Sequence, residues 1–478
     1  MSGARWLDVR NPRTGENDYR IAVADEAEVA AAATRLRAAQ PDWAARPVEQ
    51  RIAVLRRWVE AVGRHGDGLL QALVTDTGRS FVSRAEIAGL GATVERWSRL
   101  APDILAEPLQ ESTTPGIDYR IQLVPIPLVG AISPWNFPLT LSLIDAVPAL
   151  VAGCAVLVKP SEVTPRFVAP LEAALGEVPE LDSVFAFVRG DGATGAALIR
   201  HVDAVCFTGS VATGRKVAAA AAARFIPAFL ELGGKDPMVI LASADVKQAA
   251  ETALRASVSV TGQACQSIER VYVSHAIYDE FVAELVAAAE RVELNWPDIH
   301  AGHIGPLIFA KQAATIRSQL EDAVARGARI RCGGVVEEHG GGLWIRPTVV
   351  TEVDHGMALM REETFGPVIP VMPFDSVDEA VALANDSEFG LSAAVLAGTL
   401  DEAEQVGRRI EAGAVSLNDG ALTSLFYEAE KDSFKSSGLG GSRMGPAGMR
   451  RFLRRRALIR QQNAPASIES VDERRGCP

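Results

Sequence analysis

From Leu128 onward the chain alternates short β-rich runs with helical segments, and this alternation restricts the fold more than any other feature. The runs fall at 128–132, 155–158, 184–188, 204–208 and 228–230. The intervening segments at 139–151, 165–175, 193–200 and 211–222 carry helical patterning. Strands that each return through a helix predict a parallel, doubly wound sheet. A second series follows, with runs at 237–241 and 270–274 and helices beginning at Asp245 and Ile277 and spanning 311–326. Gly233 and Gly234 separate the two series, so the sequence predicts two α/β domains meeting there. Residues 25–100 precede them as amphipathic helices, with Ile52, Leu55, Trp58 and Val62 at helical spacing. From about Asn463 the chain loses periodicity and reads as a tail.

Composition excludes several classes. The 478 residues hold 48 basic and 60 acidic side chains, a formal net charge of −12. A net polyanion is poorly suited to general nucleic-acid binding. Five cysteines, Cys154, Cys206, Cys265, Cys332 and Cys477, include no CxxC pair, which argues against a disulfide framework and for a reducing cytoplasm. The seven histidines show no metal-ligand spacing, so no metal is expected. No signal peptide is visible at the N-terminus. The apolar stretch 128–158 is long enough to span a bilayer, but Pro134, Asn136, Pro138, Asp145 and Pro148 break it. It reads as a buried strand, a turn and a buried helix.

A parallel sheet invites a nucleotide at the carboxyl ends of its strands, yet no GxGxxG follows any of these runs. The nearest match, Gly438 to Arg443, fails at the third glycine. Five segments carry chemistry in its place. Thr208-Gly209-Ser210 precedes a helix whose free N–H groups suit a phosphate, or simply forms a serine-capped turn. Lys159-Pro160-Ser161-Glu162 puts a lysine and a carboxylate at a strand end, fit for ribose hydroxyls or for a surface ion pair. Asn136, between Trp135 and Phe137 in a proline-bounded turn, is either an oxyanion donor or a turn-closing amide. Glu231 directly follows an apolar strand, where burial would raise its pKa toward general-base work, or it is a hinge residue. Cys265, among small residues, is either a nucleophile whose thiolate nearby amides favour or a buried structural thiol.

Taken in order, Pro134-Trp135-Asn136-Phe137-Pro138, Lys159-Pro160-Ser161-Glu162, Phe207-Thr208-Gly209-Ser210, Glu231-Leu232-Gly233-Gly234-Lys235, Gly262-Gln263-Ala264-Cys265 and Glu362-Glu363-Thr364-Phe365-Gly366-Pro367 resemble the aldehyde dehydrogenase superfamily. The resemblance runs from Asn11 to Gly440. It implies a Rossmann-like cofactor domain (1–106 and 126–233), an α/β catalytic domain (234–448) and a small β oligomerisation extension (107–125 and 449–464), with 465–478 a flexible tail. It implies that Cys265 is the nucleophile, Asn136 the oxyanion donor and Glu231 the base that activates water. Ile132, Ser133, Pro134, Trp135, Lys159, Ser161, Glu162, Phe207, Thr208, Gly209, Ser210, Leu232, Glu363 and Phe365 would hold the cofactor. A carboxylate at Glu162 would repel a 2′-phosphate, which predicts NAD over NADP.

For the substrate, the helix after Asn136 carries no arginine to grip a distal carboxylate. Leu141, Ile144, Ala264, Gln266, Leu425 and Phe426, with Tyr427, would wall the substrate site. The expectation is a neutral aromatic or medium-chain aliphatic aldehyde. A semialdehyde dehydrogenase and a CoA-acylating relative are the alternatives, Glu231 arguing against the latter. A catalytically silent scaffold is a third. The motif at Gly440-Gly441-Ser442-Arg443 and the stretch 418–428 depart from the familiar family pattern. The arginine-rich run from Arg450 to Arg460 reads as a helix entering a C-terminal strand, which the resemblance places in an oligomerisation sheet of a homodimer or homotetramer.

Overall fold

The computed structural model describes residues 5–473. Its first α/β sheet has six strands in the order Gly438–Leu439, Ala228–Glu231, Ala204–Thr208, Leu128–Ile132, Ala155–Lys159 and Phe185–Phe187. The five from Leu128 to Glu231 are parallel. These strands read as nearly unbroken apolar runs because helices cover both faces. The N-terminal helices Glu26–Ala45, Val48–Arg64, Gly66–Thr77 and Ser80–Ile104 join this core, burying Leu36, Leu55 and Trp58 completely. The sixth strand, Gly438–Leu439, is antiparallel. It returns from the segment that the sequence assigned to the second domain.

The second sheet has seven strands, in the order Arg329–Cys332, Thr348–Thr351, Val368–Phe374, Ile268–Ser274, Asp236–Ile240, Ser392–Leu396 and Ala414–Leu417. Only the Arg329–Cys332 edge is antiparallel. Separate apolar clusters pack on its two faces. The chain passes from the first sheet to the second between Glu231 and Asp236. A third sheet pairs Leu453–Gln461 with Ile117–Pro125, which also pairs with Leu109–Glu111. The helix Ala447–Arg450 leads into Leu453–Gln461, so Arg454, Arg455, Arg456 and Arg460 lie on a strand. Residues 463–473 are exposed apart from half-buried Asp472. The rest of the expected tail, with Cys477, lies outside the described residues.

One expectation fails locally. The helix predicted at 139–151 divides into Pro138–Leu143 and Ala146–Ala152. Pro148 has no N–H to bond back to residue 144, so the ladder breaks there. The freed Asp145 side chain binds Arg443 and Arg451. Among the described residues no helix is long and apolar enough to cross a membrane, in keeping with the broken 128–158 stretch.

Candidate active site

A cleft of about 820 Å³ opens at the carboxyl ends of the first sheet's strands. Strand order reverses beside Leu128–Ile132, where successive crossovers leave to opposite sides. That is the switch point at which open α/β sheets bind ligands. Ile132, Ser133, Pro134, Trp135 and Asn136 line the cleft from the first strand and Lys159, Ser161 and Glu162 from the next. Phe207, Thr208, Gly209 and Ser210 line it from the third, and Leu232, Glu363, Phe365, Leu141 and Cys265 close it.

The cleft suits a dinucleotide. Ser210 caps the Val211–Ala223 helix, accepting from the Thr213 N–H at 3.4 Å, so the positive end of that helix faces the cavity. The Lys159 ammonium is almost wholly buried and donates to Glu162 at 2.8 Å, leaving the carboxylate partly exposed in the cleft. At the other end, Trp135 packs edge-on against Phe365, with ring centroids 5.3 Å apart, and lies 6.0 Å from Phe309. The Glu363 carboxyl lies close against Gly233, where a Cβ would come within 2.7 Å of one of its oxygens and push it aside. The Glu363 carboxyl accepts from the Gly234 N–H at 3.2 Å. Burial, then the nearby Glu269 charge, pushes its pKa up to about 8.

Lys235, for which the sequence offered no role, is explained by this loop. Its buried ammonium donates to Glu269 at 2.7 Å and to Thr364 at 2.9 Å. Glu269 in turn accepts the backbone N–H groups of Thr364 and Phe365 at 2.7 and 2.8 Å. The pair therefore fixes the Glu363 to Phe365 corner, where Phe365 is held at φ +51°. Two charges buried together stay charged only with such full hydrogen bonding.

Cys265 sits in a strained turn. Val260 and Thr261 adopt φ of 61° and 62°, costly for β-branched residues. The segment 305–308 holds the turn in place. Thr261 donates to the Gly305 carbonyl at 3.0 Å, and Gln263 binds both the Pro306 carbonyl and the Ile308 N–H. Gly262, at φ +66°, lies so close to Gly366 that a Cβ would meet its carbonyl oxygen at 2.3 Å. Asn136 donates its amide to the Gln263 carbonyl at 3.0 Å, which brings the amide to the cysteine turn. Behind it, buried Arg79 donates to the Asn136 carbonyl, and Glu86 accepts from the N–H groups of Leu139 and Thr140. Arg79 and Glu86 carried no motif and were invisible in the sequence.

The resting Cys265 is a thiol, since burial and then the Glu363 charge push its pKa up to about 12. Nearby amides do not outweigh these effects. Of the residues expected to wall the substrate site, Leu141 alone lines this cleft. Ile144 packs in the interior and Ala264 and Gln266 lie half-buried beside the cysteine without lining it. Leu425 and Phe426 are 70% and 55% exposed, and the half-buried Tyr427 ring instead covers Arg96, 4.5 Å away. Their loop carries no strand or helix to press these side chains inward beyond the short turn Leu422–Ser424.

Glu231 is drawn back from the cleft lining. It ends its strand, accepts from Ser433 at 3.1 Å and faces Arg443 at 3.9 Å. Cys154 and Cys206 are buried with their thiols pushed further up by burial, so neither competes as a nucleophile. Among the described residues no group of histidine, cysteine and carboxylate side chains could hold a metal.

Comparison with known proteins agrees with this arrangement. The model of the aldehyde dehydrogenase family matches residues 1–458. A protein from Mycolicibacterium smegmatis, provisionally named a succinate-semialdehyde dehydrogenase [NADP(+)], is 37% identical over 93% of this chain and 88% of its own. The 2-hydroxymuconic semialdehyde dehydrogenase of Pseudomonas sp. strain CF600 is 36% identical over 92% of each. The structure of a provisionally named aldehyde dehydrogenase, PutA from Anabaena variabilis, superposes with a TM-score of 0.96 at 53% identity, covering 97% of this chain and 99% of that one. The chain therefore belongs to the aldehyde dehydrogenase family and is an NAD(P)-dependent enzyme that oxidises aldehydes.

Proposed function

We propose that this enzyme oxidises a carboxylate-bearing semialdehyde to the acid through a thioester on Cys265, with NAD as the preferred cofactor. The single observation that carries the mechanism is the meeting of the Cys265 turn and the Asn136 amide at the inner end of the cleft. The Cys265 sulfur attacks the aldehyde carbon and gives up its proton to water in the cleft. The new oxyanion is held by the Asn136 side-chain amide and the Cys265 backbone N–H, where donors in a water-poor site are most effective. NAD held in the cleft would supply the hydride acceptor, and loss of hydride from the carbon bound to Cys265 would leave a thioester there. Glu231 takes a proton from water, the water oxygen attacks the thioester carbon, and the C–S bond breaks to release the acid and the thiolate. The presence of this carboxylate favours hydrolysis over transfer to CoA.

By the resemblance, Lys159 and Glu162 would bind the hydroxyls of the adenosine ribose, Ser210 the pyrophosphate, and Glu363 with Phe365 the nicotinamide side; their common position along one cleft supports this. The Glu162 carboxylate supports NAD, since a 2′-phosphate would meet like charge. The substrate class rests on the names of the two relatives, both semialdehyde dehydrogenases, and on Lys431. Its positive charge acts on the Cys265 thiol and on the buried Asp236 carboxyl, which puts it near the cysteine turn. A neutral apolar aldehyde is the second reading, resting on Leu141. By the resemblance the enzyme assembles as a homodimer or homotetramer.

A panel of succinate semialdehyde, hexanal and benzaldehyde with NAD and NADP tests the reading. The expected result is the highest kcat/KM for the semialdehyde with NAD. A preference for hexanal or benzaldehyde overturns the substrate class, and a clear NADP preference overturns the cofactor assignment. A Cys265→Ser variant that still formed NADH would remove the mechanism.

A further inference from the structure

The segment Gly440-Gly441-Ser442-Arg443, which departs from the family pattern, places a buried cation behind the proposed base. Arg443 is 7% exposed. Its Nη2 donates to Asp145 at 3.0 Å and to the Thr208 hydroxyl at 2.7 Å. Asp145 also binds Arg451, whose guanidinium lies 5.0 Å from the Phe229 ring centroid. The Arg443 Nε–H has no hydrogen-bond acceptor and lies 3.9 Å from the Glu231 carboxylate. The other Glu231 oxygen accepts from Ser433 at 3.1 Å. Two carboxylates and two guanidiniums thus balance in one group, of which both Glu231 and Arg443 act electrostatically on Cys265.

An unsatisfied buried donor aimed at a carboxylate is costly unless the position is used. We propose that Arg443, together with Ser433, is a positioning residue for thioester hydrolysis. The two fix the direction of the Glu231 carboxylate for taking a proton from the water that attacks the Cys265 thioester. This rests on the assignment of Glu231 as the base. The geometry follows from the sheet. Thr208 and Glu231 are register partners, so one guanidinium reaches both from behind the strand ends. Asp145 anchors that guanidinium because the helix break described above leaves its side chain free to turn inward.

The test separates acylation from hydrolysis. In rapid mixing of Arg443→Gln with aldehyde and NAD, the first-turnover burst of NADH keeps its amplitude within twofold. Steady-state turnover falls at least tenfold, and the KM for NAD stays within threefold. Added hydroxylamine, which attacks a thioester without a base, restores turnover to within threefold of the unsubstituted enzyme under the same conditions. Arg443→Lys retains a larger share of turnover than Arg443→Gln. Ser433→Ala, on a half-buried loop, shows the same pattern with a smaller loss and serves if Arg443→Gln does not fold. Burst and steady state falling together, or turnover that hydroxylamine does not restore, overturn the proposal by leaving Arg443 a structural residue only. Glu231→Gln is measured alongside. If it too lacks the burst-and-stall pattern, the base assignment fails. If it shows the pattern and both Arg443→Gln and Ser433→Ala do not, only the positioning role fails.

Discussion

The resting state of Cys265 gives the sharpest test of the site's electrostatics. Burial first, then the Glu363 charge, raise its pKa from 9.0 to about 12. Three units reduce the thiolate fraction about a thousandfold at neutral pH. A more basic thiolate is intrinsically more reactive, with a Brønsted slope of about 0.4–0.5, which recovers roughly twentyfold. The net expectation is reaction with an aromatic disulfide about fiftyfold slower than for an ordinary thiol. The assay follows that reaction from pH 6.5 to 9.5, with Cys265→Ser supplying the background of the other cysteines. The rate should keep rising through pH 9.5, because the folded-state pKa lies well above that range. Glu363 itself titrates near 8, so its negative charge is present above that pH and absent below it. Glu363→Gln should therefore speed the reaction above pH 8 and change it little below pH 7. A plateau before pH 9, or no effect of Glu363→Gln at high pH, would refute the account.

Lys235→Met strips the cation from buried Glu269, whose remaining partners are the two N–H groups of the Glu363 to Phe365 corner. Breaking a buried pair costs about 3–5 kcal/mol, visible in urea unfolding. Glu162→Gln removes the charge facing a 2′-phosphate and should raise the NADP to NAD ratio of kcat/KM about tenfold, measured with one aldehyde under identical conditions, in line with ~1.4 kcal/mol of relieved repulsion. Lys431→Met should raise the KM for succinate semialdehyde about tenfold while leaving that for hexanal within twofold, the worth of one charge-assisted contact.

Much of the site was legible because a parallel sheet gathers the ends of its strands on one side. Residues distant in sequence but each just past a strand, such as Ser133, Lys159 and Ser210, meet in one cleft for that reason. The motif order then identified the family. Supporting residues were illegible. Arg79, Glu86 and the 305–308 segment act through backbone groups of the Asn136 and Cys265 turns, and such bonds leave no spacing pattern. Phe309 faces the cleft from a loop with no periodicity. An apolar residue in an irregular loop has no face assigned by period, and Leu425 and Phe426 are exposed there.

The sequence by itself determined the two α/β series, the parallel sheet and the chemical identity of the cleft. Those properties follow from local periodicity and from residues at strand ends. The tertiary structure alone decided the protonation of Cys265, the use of Lys235 and the surroundings of Glu231. Each depends on how far a charge lies from water and from other charges. That distance is set by side chains brought together from remote parts of the chain, as Asp145 and Arg443 are.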